Sequence, residues 1–246
     1  MMWKNVAAIA LLILSCWAAY EWGSHNDSLV IDGITMVNAP LGSKSVLSLP
    51  DGSVVTLNSG SSITYTKSFG NEERKIELHG EAFLEVQKDK KPFIVSAKGT
   101  EITVLGTSFN VKAYDDEDIV ETTLVRGSVK VKPDAGQDIP EVYLKPNEKA
   151  LFNKESGIIT VEKTDNRFET AWLRGDLVFR STKLSDVLAK LERRYGVNIH
   201  LNDSSLANDL FTGNFDSEYI VEVMDLLERH YDFTYDIRGD DIFIHP

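Results

Sequence analysis

The sequence predicts an N-terminal transmembrane helix, an all-β body (sandwich or solenoid-like) and a small α+β C-terminal domain of two βαβ-type repeats. Three observations carry this expectation. No charge occurs from Asn5 to Tyr20. From Ile34 to Val161, short runs of alternating apolar and polar residues recur between glycine-, proline- and lysine-rich breaks, the period-two pattern of half-buried strands. After about Asn166 the spacing becomes that of amphipathic helices, and the new pattern occurs twice. The expected boundaries are 1–22 for a membrane anchor, 23–33 for a linker, 34–163 for the β-body and 164–246 for the C-terminal domain.

The anchor rests on length and flanks. The uncharged run would span about 24 Å as a helix, short of a ~30 Å hydrocarbon core. Counting from Trp3 to Trp22, with Lys4 snorkelling, closes the gap. Trp3, Trp17, Tyr20 and Trp22 form the aromatic belt of a spanning helix. Lys4 on one side, with Glu21 and Asp27 on the other, puts the N-terminus inside and the bulk of the chain in the periplasm. Two rivals stay open: a cleaved signal peptide, which lacks a clean small-residue cleavage site, and a lipoprotein signal at Ser15-Cys16. Cys16 is the single cysteine, which excludes an internal disulfide and an all-cysteine zinc site.

In the β-body, Ile34–Val37, Val46–Leu49, Val54–Leu57 and Ile63–Tyr65 alternate, and Asp51-Gly52 is a hairpin turn signal. The central stretch Arg74–Tyr114 reads as half-buried antiparallel strands broken at Gly80, Lys88–Pro92, Gly99 and Gly106. The acidic tip Asp115–Asp118 separates Phe109–Tyr114 from Ile119–Val125 and is expected to be solvated. Val129–Val131, Val142–Leu144, Ala150–Phe152 and Ile158–Val161 complete about a dozen strands. LPDGSVVTLNSGSSITY, HGEAFLEV, KKPFIV and VLGTSFNVKAY resemble, in this order, the FecR family, membrane-anchored regulators of bacterial iron- and nutrient-responsive sigma factors.

In the last third, Ser181-Thr182 is expected to begin a helix with a stripe of Leu184, Val187, Leu188 and Leu191, ending at Gly196. A second helix, Ser217–Tyr231, carries Ile220, Val223, Met224 and Leu227. Leu191-Glu192-Arg193-Arg194-Tyr195 returns as Leu227-Glu228-Arg229-His230-Tyr231, an offset of 36 residues. The same offset sets Phe179 on Phe215, so the region is a duplicated strand–helix–strand unit with Tyr195 and Tyr231 in its core. Phe233–Ile237 and Ile242–Ile244 close it as a hairpin. LVFRSTKLSDVLAKLERRYGVNI and FTGNFDSEYIVEVMDLLERHYDFTY resemble the short N-terminal domain of secretins and TonB-dependent transducers.

A formal net charge of −12 argues against non-specific binding to phosphate backbones. The one basic cluster, Lys190 with Arg193-Arg194, alternates with acids and reads as a solvated helix face. The five histidines show no metal-ligand spacing, and no nucleophile elbow, P-loop or dinucleotide fingerprint occurs. Arg174-Gly175-Asp176 and Arg238-Gly239-Asp240 read as tight turns. No catalytic residue, metal or cofactor is therefore expected.

The family resemblance implies a periplasmic receiver for the signalling domain of an outer-membrane TonB-dependent transducer, relaying to a sigma factor of the extracytoplasmic-function class. Such regulators usually begin with a cytoplasmic domain that binds the sigma factor. Only Met1–Lys4 precede the expected anchor, so a sigma-factor partner is expected only if that domain is missing from this chain. A membrane-tethered periplasmic binding or scaffold module without regulatory output is the alternative. The partner surface is expected on the C-terminal repeat, at Leu210, Phe211 and Phe215. Of these, Leu210 and Phe211 are the better candidates for exposure, and Phe215, matched to Phe179, for the core.

Overall fold

The computed structural model describes residues 33–71, 73–134, 140–202, 205–216 and 218–245. Trp3, Lys4, Trp17, Tyr20 and Trp22, placed in the expected anchor, lie outside them. Among the described residues no helix is long and apolar enough to cross a membrane. The two longest are twelve-residue amphipathic helices, about 18 Å each against a ~30 Å hydrocarbon core. The expectation of a transmembrane helix, and with it of a single-pass chain in the inner membrane, is therefore not supported by the described residues.

The body is one 13-stranded sheet folded over on itself, nearly closed like a barrel, and not a solenoid. One half runs β1 (Ile34–Ala39), β4 (Ser61–Thr66), β5 (Arg74–Glu85), β6 (Phe93–Ala97), β7 (Thr100–Val104), β10 (Val129–Pro133), β11 (Val142–Leu144). The other runs β2 (Ser45–Ser48), β3 (Val54–Leu57), β5 again, β8 (Ser108–Ala113), β9 (Ile119–Arg126), β12 (Glu148–Asn153), β13 (Ile159–Lys163). β11 comes back against β12 and β13.

The twelve residues of β5 belong to both halves. Arg74–Glu77 pair with β6 in parallel and Gly80–Glu85 with β8 in antiparallel register. The expected break at Gly80 is instead a bend in a continuous strand. Gly80 has φ +87°, and a Cβ there would sit 2.8 Å from the Ser61 Cα, so only glycine fits. The parallel β5–β6 pair also corrects the all-antiparallel expectation, because the crossover 86–92 carries the chain to the same end of the sheet. Ile63, Ile76, Phe93 and Ile102 of one half meet Leu57, Leu84, Phe109 and Leu124 of the other in a single core. Arg74 is buried within it. Its guanidinium donates to Asp51 Oδ2, Gln87 O and Lys91 O, fixing the 51–53 turn against the 87–91 loop.

The chain leaves β13 through α1 (Asn166–Glu169) and a 3-10 turn (Ala171–Arg174). It then forms β14 (Asp176–Lys183), α2 (Leu184–Tyr195), β15 (Asn198–Leu201), β16 (Leu210–Asp216), α3 (Ile220–Tyr231), β17 (Thr234–Arg238) and β18 (Asp241–His245). Moving α2 by 36 residues reproduces the bounds of α3, and both helices end on a left-handed residue, Gly196 and Asp232. The strands of one unit do not pair with each other, which corrects the βαβ reading. The first strands of the two units, β14 and β16, pair as an antiparallel ribbon. The second strands, β15 and β17, flank β18 in a separate sheet. This arrangement lets Phe179, Phe211 and Phe215 of the ribbon share one core with both helix stripes and with Ile242 and Ile244. Ser181 is not a helix start. It has φ +46° in a bulge of β14, and α2 begins three residues later.

Candidate functional site

The most heavily constructed polar region lies on the seam between the β-body and the C-terminal lobe. It starts from Glu81, the residue after the β5 bend, which is 4% exposed. Strand alternation alone would turn it outward, but the C-terminal lobe covers that face. Asn58 Nδ2 and Asn110 Nδ2 donate to its two carboxylate oxygens at 2.8 and 2.9 Å. Trp172, on the 3-10 turn, donates its indole N–H to Asn110 Oδ1 at 3.1 Å. Burial raises the Glu81 pKa, opposed by Lys112, Lys190 and the two amide donors. Burial works against the charge of Lys112, but Glu117, at 2.6 Å, and Glu81 outweigh it and raise its pKa. Lys190 has its pKa lowered by burial and by Lys112, and its ammonium rests 5.4 Å from the Phe179 ring centre.

Arg193, in the last turn of α2, holds the lobes together. Its carbonyl accepts from Gly42 N–H and from the Ser59 hydroxyl. Its guanidinium donates to Asp116 Oδ2 at 2.7 Å and Glu117 Oε1 at 2.9 Å, and lies 4.1 Å from the Tyr114 ring centre. The Tyr114 hydroxyl donates to Ser59 O, and burial pushes its pKa up. On the far side, Lys44 Nζ donates to the carbonyls of Trp172 and Leu173. A cleft of about 430 Å³ opens beside these contacts, between Asp116–Ile119 of the body and the outward residues of α2. One expectation is corrected here: Arg193 is not part of a solvated helix face. The acidic tip is largely exposed as expected, with the Asp115 and Asp116 side chains 79% and 58% exposed, although Asp116 and Glu117 also pair with Arg193. The Asp115–Asp118 loop is also gathered by Lys98, whose ammonium donates to the carbonyls of Tyr114, Asp115 and Glu117.

The residues expected to bind a partner separate. Leu210, first in β16, is 59% exposed, whereas Phe211 and Phe215 are 4% and 3% exposed and stack at 5.7 Å. Phe211 therefore leaves the exposed set, because it points into the duplicated core while its neighbour points out. Tyr195 and Tyr231 pack at the margin of that core. Arg174–Asp176 is a turn with an internal ion pair and Gly175 at φ +97°. Among the described residues no group of three or more His, Cys, Asp and Glu side chains could hold a metal ion. His200 and His245 instead pair singly with Asp241 and Asp236.

A folded-over β-body joined by a buried polar seam to a duplicated α/β lobe makes this a two-lobed protein. The FecR protein family matches residues 36–130, and the FecR C-terminal family matches residues 176–244. Two crystal structures of a candidate anti-sigma factor from Parabacteroides distasonis ATCC 8503 share the fold at 32% sequence identity. One, at 1.65 Å resolution, has a TM-score of 0.77 and covers 86% of this chain and 98% of its own. The other, at 2.50 Å, has a TM-score of 0.78 with 87% and 99% covered. No match was found among curated proteins. The chain belongs to the FecR family, and the family and these neighbours are regulators, not enzymes.

Proposed function

We propose that this chain is a FecR-type regulator whose C-terminal lobe receives the state of an outer-membrane TonB-dependent transducer and passes it to a sigma factor of the extracytoplasmic-function class. The observation that carries the reading is the lobe itself. It is a duplicated α/β unit resembling the short N-terminal domain of such transducers, it keeps its own core, and it meets the body through hydrogen bonds and ion pairs. A relay with no reaction of its own works only by binding one state of its partner better than another. A polar seam can be rearranged at smaller cost than a hydrophobic one, because water replaces the lost partners.

The test is a calorimetric titration of the chain with a purified transducer signalling domain, beside a reporter of sigma-dependent transcription. Binding should vanish when the chain ends before Phe168. Unchanged affinity in that truncated chain would make the β-body the receiver. Retained binding with a silent reporter would leave a binding module without regulatory output.

A further inference from the structure

We propose that the outer face of α3 is the surface on which the transducer's signalling domain docks, and that this partner presents lysines or arginines around an apolar groove. The inference rests on the reading that the C-terminal lobe is the receiver, and it comes from the internal duplication. Lys183, Ser185, Asp186, Ala189, Lys190 and Arg193 are the positions by which the first unit faces the β-body across the seam cleft. Thirty-six residues on, the same positions are Tyr219, Val221, Glu222, Asp225, Leu226 and Arg229. In the second unit all six are exposed, and the Tyr235 hydroxyl, which donates to Asp225 Oδ1, reaches only the edge of the face. Tyr219 is 78% exposed, Val221 45% and Leu226 41%.

The two copies of this face have opposite charge. At the six face positions the first copy carries Lys183, Lys190 and Arg193 against Asp186, and the second carries Glu222 and Asp225 against Arg229. Over the matched spans, Arg180–Tyr195 has five basic residues and two acids, and Asp216–Tyr231 has five acids and one arginine. The basic copy already sits on the acidic loop Asp115–Asp118 of the body, with Arg193 reaching Asp116 and Glu117. The acidic copy is therefore matched to a basic surface, and its three exposed apolar side chains to a groove. A second copy of this chain fits poorly, since its net charge of −12 would repel an acidic helix.

The experiment compares V221K/L226R with L210R in the full chain, titrated with the signalling domain of a TonB-dependent transducer at low and high salt. Both variants are first checked for native amide spectra, and Glu222 is left alone because it caps α3 through Tyr219 N–H. V221K/L226R should bind at least about tenfold more weakly, the loss expected of two central apolar contacts, while L210R binds like the parent. Parental binding should weaken as salt rises. Loss of binding in L210R alone, with V221K/L226R unaffected, overturns the inference and moves the receiver to the β14–β16 ribbon. If the parent fails to bind the domain, the transducer reading falls. Sigma-dependent transcription then decides the surface: a change with V221K/L226R and none with L210R retains α3 for another basic partner, and no change with either rejects it.

Discussion

Glu81 shows how one residue couples the lobes to pH. Its carboxyl is buried and its pKa is raised above the ordinary 4.5. Below 4.5 both the folded and the unfolded chain hold the proton, and the group contributes nothing to pH dependence. As pH rises past that value the unfolded chain ionises first, so stability falls until the folded carboxyl ionises as well. Glu81→Gln should abolish this decline, which urea midpoints measured at stepped pH would register. The variant should also be less stable by about 1–3 kcal/mol near neutrality, because one of the two asparagine amides would then face an N–H₂ group in place of an acceptor. A midpoint that falls with pH as steeply as in the parent would assign the dependence to another group. In the sequence Glu81 is indistinguishable from Glu85, an outward acid on the same strand. Its burial depends on Trp172, some ninety residues later, and no local pattern carries that.

At the scale of elements, the helices and most strands are legible and their partners are not. Two stripes at helical spacing located α2 and α3, because burial of one face imposes the period locally. The alternation of β5 likewise marked a strand, but glycine marks both breaks and bends, and only the Ser61 contact distinguishes them at Gly80. Gly80→Ala should cost about 2–5 kcal/mol, from a strained left-handed φ and a Cβ pressed on backbone. A shift below about 0.5 kcal/mol in denaturant titration would mean that β5 does not turn there. Strand pairing was the least legible level. The duplicated units read as βαβ-type repeats, yet β14 joins β16 and β15 joins β18, since period two fixes faces and leaves neighbours open.

For the whole molecule, family membership was legible because four motifs fall in order, while the seam that joins the lobes was not. Arg193 sits among Lys190, Glu192 and Arg194 on a helix face whose mixed charge is that of a solvated surface. Arg193→Ala removes two ion pairs, a cation–π contact and part of the lobe contact. It should destabilise the whole chain by about 1–3 kcal/mol in denaturant titration and raise sensitivity to proteolysis between residues 164 and 176. The isolated segment 168–246 should be indifferent to the change, because Arg193 spends its contacts on the body. Equal destabilisation of the segment and the full chain would show that Arg193 supports its own lobe instead.

The double membership of β5 has one more consequence. A strand that hydrogen-bonds into both halves of the body leaves neither half able to separate while the other stays closed. Its central amides should therefore exchange with deuterium only through global opening, at the slowest rate in the protein. Glu81 and the carbonyl that orders Asn58 lie on this strand. The base of the lobe contact is thus built on the segment that opens last, and a docked partner would move the C-terminal lobe against a fixed support.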